Sequence, residues 1–142
     1  MSEQELKNRD LDKWIHAHVM HADEFVGLKK RGVWYRPNAS GYTSDQRLAG
    51  RYTRDEAKRY EYPHDEPVTI HEFEPQNYTT NPADAMAVLE KCALKGDVTI
   101  SATSKGDFFY CQNSDEDMPV IESKTLPLCI AQFAKALFTA KP

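Results

Sequence analysis

The stretch TTNPADAMAVLEKCALKGDVTISATSKGDFFYCQN, residues 79–113, decides the fold because a helix and a hairpin follow one another in it. Asn81 predicts a helix N-cap, Pro82 suits the first helical position, and Gly96 predicts the end of the helix. The letters SKGD then separate two β-rich segments, with Gly106 available for the positive φ that a tight hairpin turn needs. A helix beside an antiparallel hairpin indicates an α+β fold.

The chain after this stretch predicts a second helix that closes the domain. An acidic loop, SDEDMP, and a short strand, PVIE, lead into the segment TLPLCIAQFAKALFTA. Apolar residues at helical spacing identify the sides of the two helices that face the core. In the earlier helix these are Met86, Leu89 and Ala93, and in the closing helix they are Leu126, Ile130, Phe133 and Leu137.

The chain before this stretch predicts a helix and then a hairpin. In LKNRDLDKWIHAHVMHADEFVG, the spacing of Leu11, Ile15 and Val19 indicates an amphipathic helix, with Gly27 as its end. A short strand in GVWYRP and a second one at Gly41–Thr43 flank the turn residues of PNASGYT. We therefore expect a hairpin in this part of the chain.

A capping box and one more strand complete the predicted elements. Thr53 and Glu56 have the spacing at which a hydroxyl and a carboxylate bind the first backbone N–H groups of a helix. We therefore expect a short helix from Arg54 to about Tyr60. The segment EPVTIHEFE has a β-rich composition and predicts a strand.

These elements predict one domain over the 142 residues, with two lobes. The lobe 1–74 would hold the first helix and an Arg/Tyr-rich module of hairpin and helix. The lobe 75–142 would hold the helix, the hairpin and the closing helix. The expected fold class is α+β, with an antiparallel sheet packed by helices as in an α/β/α sandwich.

The charges are unevenly distributed along the chain. The formal net charge is −4, yet residues 27–62 hold nine basic and four acidic side chains, whereas residues 63–142 hold six basic and twelve acidic ones. All seven arginines lie at or before Arg59. A local basic surface suits an anionic ligand, while the acidic remainder repels polyanions, so we expect no direct binding of nucleic acid.

The cysteines and the apolar runs favour a protein of the cytoplasm. Cys92, Cys111 and Cys129 lack the paired spacing of a disulfide framework. No apolar run approaches the roughly 20 residues of a membrane span, and the polar start MSEQELKNRDLDKW lacks the apolar centre of a secretory signal. No Walker loop or dinucleotide-binding motif is present, and we expect no cofactor and no membrane association.

Two segments resemble phage-encoded families. The letters NYTTNPADAMAVLEKCA, followed by two strands and TLPLCIAQFAKALF, resemble the phage ABA sandwich domain over residues 77–139. An aromatic residue often found in the first helix of that family is absent here, where Met86 and Val88 lie. The shared positions are mostly helix caps and core residues, so the resemblance implies a fold and transfers no catalytic residue.

The preceding segment resembles a recurrent, uncharacterised phage module of the form Y-R-P-N-x-x-G-Y-T-x-D-x-x-x-A-G-x-Y-T-x-E-E-A. This resemblance implies a phage or prophage accessory protein that acts in the host cytoplasm. The matching residues are Tyr35–Asn38, Gly41–Thr43, Asp45, Ala49, Gly50, Tyr52, Thr53, Glu56 and Ala57.

The stretch WYRPNASGYTSDQRLAGRYTRDEAKRY, residues 34–60, is the candidate ligand site because it holds five arginines and four tyrosines. Guanidinium groups bind phosphate bidentately and aromatic faces stack on bases, a combination typical of nucleotide recognition. The small residues before Thr53 also permit an anion to approach the N–H groups of a helix start. The candidate ligand-binding residues are Trp34, Tyr35, Arg36, Tyr42, Arg47, Arg51, Tyr52 and Arg54.

The same cluster has a structural interpretation. The aromatic side chains would pack the hairpin on its helix, and the arginines would pair with Asp45, Asp55, Glu56 and the acidic C-terminal half. Both interpretations stay open at the level of the sequence.

Other reactive side chains suit structural roles better than chemistry. His16, His18 and His21 have the spacing H-x-H-x-x-H, which would place His18 and His21 on one helix face, but no third zinc ligand is marked. The three cysteines are expected in the core, where thiols are inert, so neither a metal site nor a catalytic residue is predicted. A solvated acidic loop is expected for Asp115, Glu116 and Asp117.

We expect a non-enzymatic phage protein that counters a host defence by binding. In the leading hypothesis it sequesters a small nucleotide-type signal through the Arg/Tyr surface, and alanine at Arg51 and Arg54 would abolish binding. In an alternative hypothesis its acidic half binds a host defence protein by mimicking phosphate. In a third it hydrolyses the signal, with His64 or His71 as general base. Exposed aromatic surface also favours a homo-oligomer.

Overall fold

The computed structural model describes residues 2–60, 68–115 and 117–141. The chain divides into two compact units: a terminal unit formed by Met1–His21 and Pro75–Pro142, and a central unit formed by Ala22–Glu74. The first helix therefore belongs to the same unit as the C-terminal residues, whereas the sequence placed it in the lobe 1–74. No helix in the described ranges is both long and apolar enough to cross a membrane.

Helices and antiparallel sheets confirm the α+β class. The central unit has a five-stranded sheet, and the terminal unit has a three-stranded sheet in the order β6-β7-β8. The elements are α1 (Glu3–His18), β1 (Phe25–Lys30), β2 (Val33–Tyr35), β3 (Tyr42–Thr43), β4 (Tyr52–Thr53), α2 (Arg54–Lys58), β5 (Thr69–Glu72), α3 (Pro82–Ala93), β6 (Val98–Ala102), β7 (Phe109–Asn113), β8 (Ile121–Ser123) and α4 (Leu126–Ala140).

Helix α4 forms the centre of the terminal unit. It contacts α1, α3, β7 and β8. Ile130, Phe133 and Leu137 are almost completely buried, as predicted, and Leu126 packs against them with part of its surface exposed. Burying several large apolar side chains of one helix is worth roughly 1.5–3 kcal/mol each, so this helix organises the core of the unit.

The limits of α3 are those that the sequence predicts, but its buried face is different. The side chain of Asn81 accepts hydrogen bonds from the N–H groups of Ala83 and Asp84, at 2.9 and 3.2 Å. The predicted inner stripe is wrong at two of its three residues, because Met86 is 49% exposed and Ala93 is exposed, whereas Leu89 packs against the core. Ala85, Val88 and Cys92 face the core instead. These are smaller residues, and they allow α3 to approach α4 closely.

The hairpin of the terminal unit confirms the prediction from the letters SKGD. β6 and β7 pair antiparallel, with Ile100 opposite Cys111, and Gly106 has a φ of 69° in the turn between them. Helical side chains cover one face of this sheet, since Cys111 is completely buried while its neighbour Gln112 is exposed.

The central unit contains a strand where the sequence predicts a helix end. Helix α1 ends at His18, His21 adopts a positive φ of 51°, and Phe25–Lys30 forms β1. The prediction that Gly27 ends the first helix is therefore wrong. Gly27 lies inside β1. A Cβ atom at this position would lie 2.4 Å from the ring of Trp34, so glycine provides the space for that ring.

The hairpin, the short helix and the last strand of the central unit confirm their predictions, whereas β4 was not predicted as a strand. β1 pairs antiparallel with β2, β4 and β5, and β2 pairs with β3 in the expected hairpin. Helix α2 begins with the capping box, in which Thr53 Oγ1 accepts a hydrogen bond from the N–H of Glu56 at 3.1 Å. His64, Glu116 and the beginning of the segment EPVTIHEFE lie outside the described residues.

Candidate functional site

The register of the central sheet divides the predicted ligand residues between two faces. Neighbouring residues of a strand point to opposite faces, and residues paired across strands share a face. Trp34 and Tyr35 are neighbours in β2, so their side chains lie on opposite faces. Trp34 shares its face with its partner Lys29, and Tyr35 shares the other face with its partner Tyr42. We call the side of Tyr35, Tyr42 and Tyr52 the tyrosine face and the side of Trp34 the tryptophan face.

On the tyrosine face, four aromatic rings form a connected row. The ring centroids of Tyr35 and Tyr42 are 5.1 Å apart, and those of Tyr52 and Tyr60 are 5.7 Å apart. Tyr60 also contacts Tyr35, with 6.2 Å between the centroids. Burial, and then the hydrogen bond with Tyr42, raise the pKa of the Tyr35 phenol above its usual value. The Tyr35 phenol is therefore neutral at physiological pH.

Tyr52 and Tyr42 have different roles in this row. Tyr52 is 4% exposed, and its hydroxyl donates a hydrogen bond to the carbonyl of Arg36 at 2.6 Å and accepts one from the N–H of Ala39 at 3.0 Å. These bonds hold the loop of the segment PNAS, so Tyr52 stabilises the unit. Tyr42 is 49% exposed, whereas Tyr35 and Tyr60 are half-buried, so Tyr42 is the ring of the row that is most accessible to a ligand.

On the tryptophan face, Trp34 is enclosed by side chains of the same unit. It is 7% exposed and stacks on Phe73 with 5.3 Å between the ring centroids. His71 meets it edge-on at 5.9 Å, and Lys29 Nζ lies 4.3 Å from the centre of its ring. The guanidinium of Arg51 lies 4.4 Å from the centre of the Phe73 ring. Lys29 and Arg51 therefore already form cation–π contacts with aromatic rings of their own unit.

The other predicted arginines are exposed and also contact their own unit. Arg54 forms an ion pair with Glu72 at 3.1 Å, but both side chains are more than half exposed, so the pair contributes little stability. Arg36 Nε donates a hydrogen bond to the backbone carbonyl of Tyr42 at 3.2 Å. The backbone N–H of Arg47 binds the side chain of Asp45 at 2.9 Å. Arg36 is thus the predicted arginine that the structure places next to the exposed tyrosine.

A hollow of about 410 Å³ lies at the end of the tyrosine face. Lys30 and Val33 form the last pair of β1 and β2, and the turn between them contains Arg31 and Gly32 with φ of 54° and 79°. The described residues that line the hollow are Lys30, Arg31, Val33 and Tyr42.

This hollow combines an exposed aromatic ring with two cationic side chains. A planar group can stack on Tyr42 while Lys30 and Arg31 bind an attached anion. Of the eight residues that the sequence selected, Tyr42 is the one that lines the hollow in the described ranges, and Lys30, Arg31 and Val33 were missed. The run Lys29-Lys30-Arg31 before the predicted strand was the available signal, but Lys29 lies on the tryptophan face.

The histidines and cysteines are used structurally. The prediction that His18 and His21 share a helix face is wrong, because α1 ends at His18, whose ring packs on Trp14 with 4.8 Å between the centroids. Residues 2–60, 68–115 and 117–141 contain no group of three His, Cys, Asp or Glu side chains placed to hold a metal.

All three cysteines are free and buried, as the sequence predicts. The Sγ atoms of Cys111 and Cys129 are 3.2 Å apart. Burial raises the pKa of each thiol, and that of Cys92 to about 12. Protonated thiols without solvent access are poor nucleophiles.

Comparisons with known proteins give a structural neighbour but no matching family. No protein-family model matches the sequence, and no curated protein matches it. A solved structure, a phage protein from Bacillus cereus, is similar over 96% of this chain and 97% of that chain, with 19% sequence identity and a TM-score of 0.45. The resemblance to the phage ABA sandwich domain therefore stays a resemblance.

Proposed function

We propose that this is a phage protein that binds a small nucleotide-type ligand in the hollow of the central unit and thereby sequesters a host defence signal in the cytoplasm. The observation that carries the proposal is the position of the exposed Tyr42 ring beside Lys30 and Arg31 in a concave surface. An aromatic ring and cations that line the same hollow are complementary to a base and a phosphate.

The size of the hollow suits such a ligand. Small-molecule pockets typically enclose about 300–1,000 Å³, and the hollow has about 410 Å³. Stacking of one base on an aromatic ring contributes roughly 1–3 kcal/mol. Arg36, whose Nε atom donates a hydrogen bond to the backbone carbonyl of Tyr42, adds positive charge beside β3. A nucleotide with one or two phosphates therefore has complementary partners for both its base and its charge.

The tryptophan face supports ligand binding less well. Trp34 is almost buried, and Arg51 lies on Phe73. A ligand would have to displace these contacts before it could form its own. We therefore expect changes at Trp34 and Arg51 to alter stability and to leave the affinity of the folded protein nearly unchanged.

Hydrolysis of the ligand has no support from His71. Its register partner is Gly27, its ring contacts Trp34, and its Nε2 atom lies 2.6 Å from Thr69 Oγ1. These contacts place it on the tryptophan face, opposite the hollow. We therefore propose binding without turnover.

The test is a thermal-shift and calorimetric screen against cyclic di- and trinucleotides, ADP-ribose, cyclic ADP-ribose isomers and NAD. A ligand at a hundredfold excess over its dissociation constant stabilises the folded protein by about 2.7 kcal/mol. Tyr42→Ala and Lys30→Glu should abolish the shift. Lys58→Glu makes the same change of charge on α2 and is the matched control, which should keep the shift.

Three outcomes contradict the proposal. If Arg51→Ala and Arg54→Ala abolish binding while Lys30→Glu does not, the ligand site is the one predicted from the sequence. If chromatography shows that a bound ligand is consumed, the protein is an enzyme. If none of the ligands binds, the acidic C-terminal half becomes the candidate surface, and capture of a host protein that is lost on neutralising Asp107 and Glu122 would support that alternative.

A further inference from the structure

A groove of about 830 Å³ lies between α1 and α4 in the terminal unit. The residues of each helix that border it are spaced three or four apart, so each helix presents one continuous stripe to the groove. The stripe of α1 is Lys7, Asp10, Leu11 and Trp14, and that of α4 is Gln132, Lys135, Ala136, Thr139 and Ala140.

The floor of the groove is apolar and has room for a flat group. Leu11 and Trp14 pack against the core with part of their surface exposed, and so does Ala136. Ala136 and Ala140 are small, which leaves space opposite the indole ring of Trp14. One neighbour of that ring is His18, with 4.8 Å between the ring centroids.

The rim of the groove has two lysines and one aspartate. Lys135 is exposed, and its Nζ atom lies 5.8 Å from the centre of the Trp14 ring. Lys7 pairs with Glu3 at 3.3 Å, but the two side chains are 67% and 83% exposed, so the pair is weak and the ammonium group can bind another anion. Asp10 is the acidic member, and it disfavours ligands with several negative charges.

We propose that this groove binds an aromatic monoanion. Its planar ring would lie against Trp14 and the two alanines, and its carboxylate, sulfonate or phosphodiester would bind Lys135 and Lys7. This site shares no residue with the hollow of the central unit, and it takes a ligand of lower charge than a nucleotide with several phosphates. It is therefore independent of the function proposed above.

The two tryptophans of the chain allow a specific test. Trp34→Phe leaves Trp14 as the one indole fluorophore, and 8-anilinonaphthalene-1-sulfonate is an aromatic monoanion that accepts energy from excited tryptophan. Titration with this probe should quench Trp14 emission with a saturable, one-site curve. If Trp34→Phe does not fold, the difference in emission between the wild type and Trp14→Phe gives the same signal.

Charge variants and a neutral probe test the role of the lysines. Lys135→Glu should weaken binding of the sulfonate about tenfold, because an attractive pair becomes a repulsive one. Lys105→Glu, in the turn between β6 and β7, makes the same change of charge away from the groove and should alter the affinity less than about twofold. N-phenyl-1-naphthylamine lacks the sulfonate and should bind the wild type more weakly than 8-anilinonaphthalene-1-sulfonate does. It should bind Lys135→Glu with the same affinity as the wild type.

The following results would overturn the proposal. Trp14 emission that does not respond to the probe would show that the groove is not the site. Equal effects of Lys135→Glu and Lys105→Glu would show that net charge alone attracts the probe. A dimer in solution that dissociates in Lys135→Glu, with no probe bound to either form, would show that a second copy of the chain occupies the groove.

Discussion

Replacing Gly27 by alanine should destabilise the central unit, although the backbone at this position does not require glycine. The new Cβ atom would lie 2.4 and 2.6 Å from two atoms of the Trp34 ring and 2.9 Å from Cζ of Phe73. Carbon atoms in van der Waals contact are about 3.5–4.0 Å apart, so the ring of Trp34 has to move by about 1 Å or more.

The magnitude follows from two opposing effects. Adding a methyl group to a packed site costs about 1–3 kcal/mol. Alanine in a strand offsets roughly 0.5–1 kcal/mol of this, because it loses less backbone entropy on folding than glycine. Urea denaturation followed by far-UV circular dichroism should therefore show a loss of up to roughly 2.5 kcal/mol in the free energy of unfolding.

A double-mutant cycle tests whether Trp34 is the cause. Trp34→Ala alone should cost about 3–5 kcal/mol, because it removes a large buried side chain. In that background the new Cβ atom meets only Cζ of Phe73, at 2.9 Å, among these ring atoms, so Gly27→Ala should cost much less than in the wild type. Equal destabilisation by Gly27→Ala with and without Trp34 would refute the contact as the reason for glycine.

Three further predictions concern single groups. Tyr52→Phe removes the hydroxyl that bridges Arg36 and Ala39 and should lower the free energy of unfolding by about 1–2 kcal/mol, whereas Tyr110→Phe, the control, should change it by less than about 0.5 kcal/mol. Ala39→Gly should raise the melting temperature, because an L-residue at the φ of 54° costs roughly 1–2 kcal/mol; Ala83→Gly in α3 should lower it. Burial raises the pKa of the Cys92 thiol to about 12, whereas the pKa of a thiol in an unfolded chain is about 8.5. Between these two pH values the folded state therefore retains a proton that the unfolded state releases. The free energy of unfolding should therefore fall as the pH rises from about 8.5 towards 12, and urea titrations should show a shallower fall in Cys92→Ala; equal slopes would contradict this origin.

The candidate site was only partly predictable from the sequence. The concentration of arginine and tyrosine in residues 34–60 identified the central unit, and the strand in the segment VWY was predicted. Strict alternation along that strand already separates Trp34 from Tyr35, and this signal was missed. The contribution of Lys30 and Arg31 depends on the turn that connects β1 and β2, and β1 itself was predicted as the end of a helix.

The sequence alone determined the helix and turn boundaries at which nearby residues provide the hydrogen-bonding partners of the backbone. Asn81 caps α3, Thr53 and Glu56 form the capping box of α2, and Gly106 provides the hairpin turn, because in each case the hydrogen-bonding partners lie within a few residues along the chain. Such signals act before any tertiary contact forms. They can therefore be recognised without knowledge of the fold.

Tertiary structure alone decided which side of each element is buried and which residues meet. Both sides of α3 hold apolar residues, so the approach of α4 selected Val88 and left Met86 exposed. Phe25–Lys30 became a strand because it pairs with β2 across a tight turn and with β4 and β5, which are distant in the sequence. Pairing partners and their register depend on contacts across the whole unit, and these contacts placed Tyr42 beside Lys30 at one hollow while they buried Trp34 on the opposite face.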